Sequence, residues 1–75
     1  MFLKRMREYI ANDVNKLRIE TGATQEELAA QVNVSRQTIV AIEKGNYAPS
    51  VVLALKIAHY FKTPVEKIFK ISYEK

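Results

Sequence analysis

Helix-start signals recur at short intervals along this 75-residue chain, and they constrain its fold more than any other feature. Thr24 is followed three residues later by Glu27, the pairing of a capping box, in which each side chain bonds the other residue's backbone N–H. Ser35 and Ser50 are suited to cap helices, because a hydroxyl oxygen accepts from a backbone N–H in the first turn. Thr63 is predicted to cap a fourth segment, with proline at the first helical position. This punctuation predicts several short helices.

Apolar residues follow these signals at helical spacing; Leu53, Ile57 and Phe61, for example, share one helix face. The patterns predict five helices, at about residues 3–20, 25–32, 36–44, 51–61 and 65–70. The start of the first helix stays open between residue 3 and residue 13. An apolar stripe favours one long helix, whereas the Ala-Asn-Asp stretch at 11–13 is suited to cap a new start. Gly22 ends the helix in either case.

The end of the chain changes its period. Phe69, Ile71 and Tyr73 alternate with polar side chains, which is typical of a short strand. An unpaired strand is not stable, so this one needs the chain's own N-terminus or a second copy of the chain; a frayed tail is the alternative. The predicted fold class is all-α, a compact five-helix domain with a short C-terminal strand used in dimerisation. The predicted organisation is an N-terminal extension of helix 1 at 1–12, a helical domain at 13–70 and a tail at 71–75.

Composition excludes several classes of function. The chain is 48% hydrophobic and 27% charged, which is ordinary for a globular protein. It has no cysteine and a single histidine, His59, so neither a disulfide nor a metal site is expected. No stretch approaches the roughly 20 apolar residues of a membrane span, and charges interrupt the apolar N-terminus, unlike a signal peptide. We expect a cytoplasmic protein without cofactor, whose net charge of +4 fits a polyanionic partner.

Only Asn33 and Val34 separate the helix that follows Thr24 from the one capped by Ser35. So short a link forces the two helices to a steep angle, as in a helix-turn-helix. The turn needs a residue that tolerates a left-handed backbone, and Asn33 is the best choice other than glycine. Val34 is predicted to fill the angle between the two helices.

The stretch TQEELAAQVNVSRQTIVAIEKGNYAPS resembles the phage repressor and Cro-type (XRE-like) helix-turn-helix family of DNA-binding proteins. Its Gln-Glu-Glu-Leu-Ala, Ser-Arg-Gln-Thr-Ile, Ile-Glu-Lys-Gly and Pro-Ser segments all stand at the family's spacing. The resemblance covers about residues 13–70 and is greatest to small stand-alone regulators. The family commonly has glycine where this chain has Asn33, a departure that the left-handed tolerance of asparagine makes harmless.

The resemblance implies that residues 36–44 form the recognition helix, which lies in the major groove. If Ile39 and Ile42 face the core, the opposite face points outward. Arginine forks onto guanine, glutamine onto adenine, and small apolar side chains fit against thymine methyls. Taken alone, an exposed Arg or Gln is only a solubilising residue, but within this motif base contact is favoured. The predicted base-contacting residues are Arg36, Gln37, Val40 and Ala41.

The family also places a phosphate at the start of the second helix, where Gln25 matches a phosphate-binding position. Thr24 can serve there as well as cap the helix. Such contacts set the register on DNA and carry no sequence information directly. The predicted phosphate-contacting residues are Thr24, Gln25, Thr38, Lys44, Asn46 and Tyr47.

Glu43 is acidic on a helix expected to meet DNA. Family members often pair this glutamate with an arginine on the first helix, and Arg18 matches that position. The resemblance therefore implies a structural ion pair, against the alternative of a solvated carboxylate. His59 is expected to be an ordinary surface histidine.

The leading function hypothesis is a sequence-specific transcriptional regulator, a repressor, that binds double-stranded DNA. One recognition helix reads too few base pairs to single out a genomic site, so a homodimer on a palindromic operator is expected. The residues expected to dimerise are Phe69, Ile71 and Tyr73. An antitoxin with a toxin partner is the alternative, disfavoured because only residues 1–11 and 71–75 are to spare. A restriction–modification controller is a variant, and an enzyme is not expected.

Overall fold

A computed structural model of the chain describes residues 7–74, and residues 1–6 and 75 lie outside that description. Helices and strands follow one another as β1 (Arg7–Asn12), α1 (Val14–Thr21), α2 (Gln25–Gln31), α3 (Arg36–Glu43), α4 (Val51–Phe61), α5 (Val65–Ile68) and β2 (Phe69–Glu74). The bounds of α2, α3 and α4 agree with the predicted ranges to within one residue, whereas α5 ends two residues before its predicted end because β2 begins at Phe69. The all-α class is incomplete, because the helical domain also carries a two-stranded sheet.

Three of the predicted helix caps are confirmed. The Thr24 hydroxyl accepts from the Glu27 backbone N–H at 3.0 Å, and the Glu27 carboxylate accepts from the Thr24 N–H at 2.8 Å. Ser35 and Ser50 accept from backbone N–H groups in the first turns of α3 and α4, at 3.2 and 3.1 Å. These caps satisfy amides that a helix start leaves without an intrahelical partner, and so they fix where each helix begins.

The predicted Thr63 cap is wrong by one residue. Pro64 takes the cap position of α5, and the Thr63 hydroxyl donates to the Phe61 carbonyl at 2.9 Å. The Thr63 backbone N–H donates to the Ala58 carbonyl at 3.1 Å. Thr63 is therefore used to close α4, and α5 begins at Val65 with no side-chain cap.

The N-terminal segment is a strand and does not extend the first helix. Of the two starts left open, the one near residue 13 is right; residues 3–6 of the longer helix lie outside the described range. Asn12 makes the break: its side-chain oxygen accepts from the Val14 backbone N–H at 3.0 Å, a local turn that starts α1. Its amide nitrogen donates to the Ile42 carbonyl at 2.9 Å, which holds the turn against α3.

The two strands pair antiparallel, with Ile10 opposite Ile71 and Asn12 opposite Phe69. The strand predicted at the C-terminal end is confirmed, and its partner is the chain's own N-terminal segment. Phe69 packs against the core, whereas Ile71 is 60% and Tyr73 54% exposed. Of the three residues expected to dimerise, Phe69 is therefore already packed within the domain, next to α5.

The core receives at least one buried apolar side chain from each helix. Its fully buried members are Val14, Leu28, Val32, Ile39, Ile42, Ile57 and Ile68. Because both isoleucines of α3 point into this core, the opposite face of α3 is held outward. The core thus determines which side chains of α3 a partner can reach.

Candidate nucleic-acid interface

The link between α2 and α3 has the geometry that the sequence predicts. Asn33 has φ of 62°, in the left-handed region where asparagine is tolerated better than most residues. The Val34 backbone N–H donates to the Ala29 carbonyl at 3.0 Å, and the Val34 side chain packs against the core. The turn is therefore held both by a hydrogen bond and by apolar contact.

The two faces of α3 differ sharply. Ile39 and Ile42 are fully buried, while Arg36 and Gln37 are exposed at the first turn. Val40 and Ala41 are half-buried, so the middle of the outer face is apolar and its side chains protrude little from the helix. Long polar side chains at one end and short apolar ones in the middle suit insertion into a groove of bases.

The segment after α3 adds polar groups beside this face. Gly45 has φ of 81°, a conformation that favours glycine, and it turns the chain so that the Asn46 N–H donates to the Ala41 carbonyl at 2.9 Å. Lys44 and Asn46 are exposed. Tyr47 is 47% exposed and lines a shallow depression with Gln37, Thr38 and Ala41.

Three of the predicted phosphate-contacting side chains are already engaged in hydrogen bonds. The Thr24 hydroxyl accepts from Glu27, and the Thr38 hydroxyl lies 3.1 Å from the Ser35 hydroxyl. The Gln25 side chain is half-buried, and its amide nitrogen donates to Glu43 at 3.0 Å. An amide nitrogen carries two hydrogens, so Gln25 keeps a second donor.

The Glu43 carboxylate is the centre of a network that joins α1, α2 and α3. Nε of Arg18 donates to its Oε2 at 2.7 Å and Nη2 of Arg18 to its Oε1 at 3.2 Å. Asn15 and Gln25 each donate to Oε1 at 3.0 Å. The Glu43 side chain is only 5% exposed and that of Arg18 14%. The charge of Glu43 is therefore neutralised inside the motif.

The pKa values of this pair follow from its surroundings. Burial alone raises the pKa of Glu43, but the hydrogen bonds from Arg18, Asn15 and Gln25, together with the Arg18 charge, outweigh burial and lower it. The hydrogen bond to Glu43 raises the pKa of Arg18 against the effect of burial, with smaller contributions from the charges of Glu43 and Glu26. Both groups are held in their charged forms.

Two features of the surface were missed by the sequence reasoning. Glu26, in the first turn of α2, lies 3.5 Å from Nε of Arg36. On α4, Val51, Val52 and Leu55 are 75%, 64% and 52% exposed. The α4 patch has a sequence signal, because apolar residues in VVLALKIA exceed a single helix stripe. The contact between Glu26 and Arg36 has no sequence signal, because it joins two different helices.

Within residues 7–74, no helix has the length and apolar character needed to cross a membrane. The same residues contain no cluster of three or more His, Cys, Asp or Glu side chains able to hold a metal ion.

Comparison with known sequences places the chain among helix-turn-helix proteins. A family model described as helix-turn-helix matches residues 14–68. The HTH-type transcriptional regulator YgzD of Bacillus subtilis is 48% identical over 63 residues, 84% of this chain and 96% of that relative. An HTH-type transcriptional regulator of Methanocaldococcus jannaschii is 52% identical over 58 residues, 77% of this chain and 88% of that relative. The cryptic phage CTXphi transcriptional repressor RstR of Vibrio cholerae is 29% identical over 58 residues, 77% of this chain and 52% of the repressor.

Solved structures share the fold. The restriction-modification controller protein C.AhdI from Aeromonas hydrophila matches with a TM-score of 0.68 and 28% identity, over 72% of this chain and 82% of the controller. The transcriptional regulator VanUg matches over 99% of both chains with a TM-score of 0.73. Its 23% identity makes that second likeness one of fold alone.

Proposed function

The chain belongs to the helix-turn-helix family, and from this membership we propose that it regulates transcription as a homodimer bound to a palindromic operator. Like its family and relatives, it is a DNA-binding transcriptional regulator and not an enzyme. The observation that carries the proposal of sequence-specific reading is the division of α3: Ile39 and Ile42 are fully buried, which leaves Arg36 and Gln37 outward.

Base reading is assigned to the outer face of α3. Arg36 and Gln37 can each offer two polar atoms to one base, the geometry that distinguishes guanine and adenine in the major groove. Val40 and Ala41 lie further along the same face and are short enough to let the helix approach thymine methyl groups. The proposed base-contacting set is thus unchanged from the sequence prediction.

Phosphate binding is assigned to the rim around this face. Three exposed residues beyond the end of α3 can contact the sugar-phosphate backbone of the DNA: Lys44, Asn46 and Tyr47. The proposed rim also includes Thr24, Gln25 and Thr38. Their side chains can still donate hydrogen bonds to phosphate, because their hydrogen bonds within the protein do not use every donor. These contacts would position α3 in the groove without reading sequence.

Dimerisation is assigned to the apolar face of the sheet. Ile10 and Ile71 are directly opposite each other in the register, and Tyr73 follows on the same face of β2. Ile71 and Tyr73 expose apolar surface of the kind that marks an interface. The Val51–Val52–Leu55 patch on α4 is the competing surface. A two-fold axis would place the two copies of α3 about 34 Å apart, one turn of DNA.

Repression is the direction of regulation that we propose, because RstR, a 29% identical relative, is named as a repressor. The 28% identical C.AhdI favours a second candidate role, control of a restriction–modification system. The two roles share one mode of DNA binding and differ in the gene that is controlled. A footprint on the DNA upstream of the chain's own gene and of its neighbour would distinguish them.

The proposed function is tested by selecting bound sequences from a library of random duplexes. We expect two inverted half-sites. Arg36→Ala should weaken operator binding by about 1–3 kcal/mol per half-site and relax the preference at one base pair of each. Lys67→Ala, on α5, removes the same charge away from α3 and should preserve the preference. An Arg36→Ala protein with the parent's ratio of operator to random binding would contradict the assignment of α3.

A further inference from the structure

Glu26 occupies a place where an acidic side chain needs an explanation. Its carboxylate lies 3.5 Å from Nε of Arg36, the base-reading residue, and both side chains are largely exposed, at 71% and 55%. An exposed ion pair of this kind contributes little to stability. Glu26 is also not the capping residue of α2, because Thr24 and Glu27 form the capping box. In the first turn of α2 the negative charge of Glu26 is favourable to the helix dipole, but that effect does not require the carboxylate to lie beside Arg36.

We propose that Glu26 is a specificity-determining residue that positions the Arg36 guanidinium for base reading and disfavours its contact with phosphate. This inference rests on the proposed function and names a residue outside the set that touches bases.

The contact fixes the edge of the guanidinium that faces the protein. Glu26 lies on the Nε side of Arg36, so the two terminal nitrogens stay available at the opposite edge. Those nitrogens form the fork that matches O6 and N7 of guanine. A long side chain that is already oriented loses less conformational freedom on binding than one that moves freely. Glu26 therefore favours the binding of Arg36 to a guanine edge.

The carboxylate also acts through its charge. A phosphate and the Glu26 carboxylate are both negative, so the carboxylate opposes any approach of the DNA backbone to the same guanidinium. A guanine edge carries no net charge and meets no such opposition. Glu26 thus lowers the affinity for random DNA more than the affinity for the operator, which raises the ratio between them.

The experiment compares Glu26→Gln with Glu66→Gln. Both glutamates are exposed and occupy the second position of their helices, α2 and α5, so the two changes remove the same charge from equivalent sites. Dissociation constants are measured for the selected operator and for a random duplex at one salt concentration. For Glu26→Gln we expect the operator-to-random ratio to fall about twofold to fivefold, the range of an exposed ion pair. For Glu66→Gln we expect the ratio to stay unchanged.

A second pair of variants shows whether Glu26 acts through Arg36. In an Arg36→Ala background, Glu26→Gln should alter operator and random binding by the same factor. The inference is overturned if Glu26→Gln leaves the ratio unchanged in the parent protein, or if the ratio falls equally in the Arg36→Ala background. If Arg36→Ala lowers the ratio and Glu26→Gln does not, only the inference fails. A parent protein without any sequence preference would instead refute the proposed function.

Discussion

Replacing Arg18 with alanine should destabilise the protein more than any exposed substitution, because it leaves Glu43 charged and nearly buried. The Glu43 carboxylate accepts four hydrogen bonds, two of them from Arg18, and its side chain is only 5% exposed. Removing one partner of a buried pair costs about 3–5 kcal/mol. Since Arg18 is 14% exposed, we expect about 2–4 kcal/mol here. That is a large part of the roughly 4–11 kcal/mol typical for 75 residues.

The double change Arg18→Ala with Glu43→Gln separates lost attraction from lost packing. Glu43→Gln keeps the side-chain shape, and with the charge gone the carboxamide no longer needs a cation. We expect the double variant to be about 1–2 kcal/mol more stable than the sum of the single changes predicts. Urea unfolding followed by far-UV circular dichroism gives each free energy of unfolding, and an unchanged dependence on urea shows that the transition stays two-state.

The same pair predicts how stability depends on pH. The pKa of Glu43 is lowered in the folded state, so its stabilisation is complete above about pH 4.3, the pKa of an unfolded glutamate. The stabilisation is lost as the pH falls through the lower pKa of the folded state. The free energy of unfolding of Glu43→Gln should therefore decrease less than that of the parent as the solution is acidified below about pH 4.3.

A matched control is the exposed pair of Arg7 and Glu74, 3.4 Å apart with side chains 85% and 55% exposed. Arg7→Ala should cost less than about 1 kcal/mol, because solvent screens such pairs. The account of the network is refuted if Arg18→Ala costs no more than Arg7→Ala. Strictly additive changes at Arg18 and Glu43 would also refute it, since they would show that the two residues are not coupled.

Two further predictions concern DNA and assembly. Lys44→Ala should weaken operator and random DNA about equally and reduce the log–log salt dependence of binding by roughly one unit per protomer; an unchanged salt slope in fluorescence anisotropy titrations would remove Lys44 from the phosphate rim. Ile71→Thr with Tyr73→Thr should shift the protein from dimer toward monomer in analytical ultracentrifugation at micromolar concentration. Tyr9→Thr, on the other face of the sheet, should not, and dissociation by Leu55→Gln alone would move the interface to α4. These substitutions are preferable to truncation after Lys70, which would also leave β1 without its partner.

The sequence alone predicted those parts of the molecule that depend on neighbours a few residues away. The Thr24–Glu27 capping box and the Ser35 and Ser50 caps are local hydrogen bonds, and they set the starts of α2, α3 and α4. The left-handed turn at Asn33 is a property of one residue between two helices. The inward face of α3 follows from the helical repeat of its isoleucines. Each of these features depends on residues that lie within one or two helical turns of one another in the sequence.

The tertiary structure decided the features whose partners are distant along the chain. Residues 7–12 lie within a longer apolar stripe that fits a helix over about residues 3–20, and only pairing with β2 supplies the backbone hydrogen bonds that make them a strand. Phe69 is half-buried against the core because β2 leaves α5 beside it. The contacts of Gln25 with Glu43 and of Glu26 with Arg36 each join α2 to α3. Such contacts depend on how two helices are placed in space, and helical periodicity within either segment carries no information about that placement.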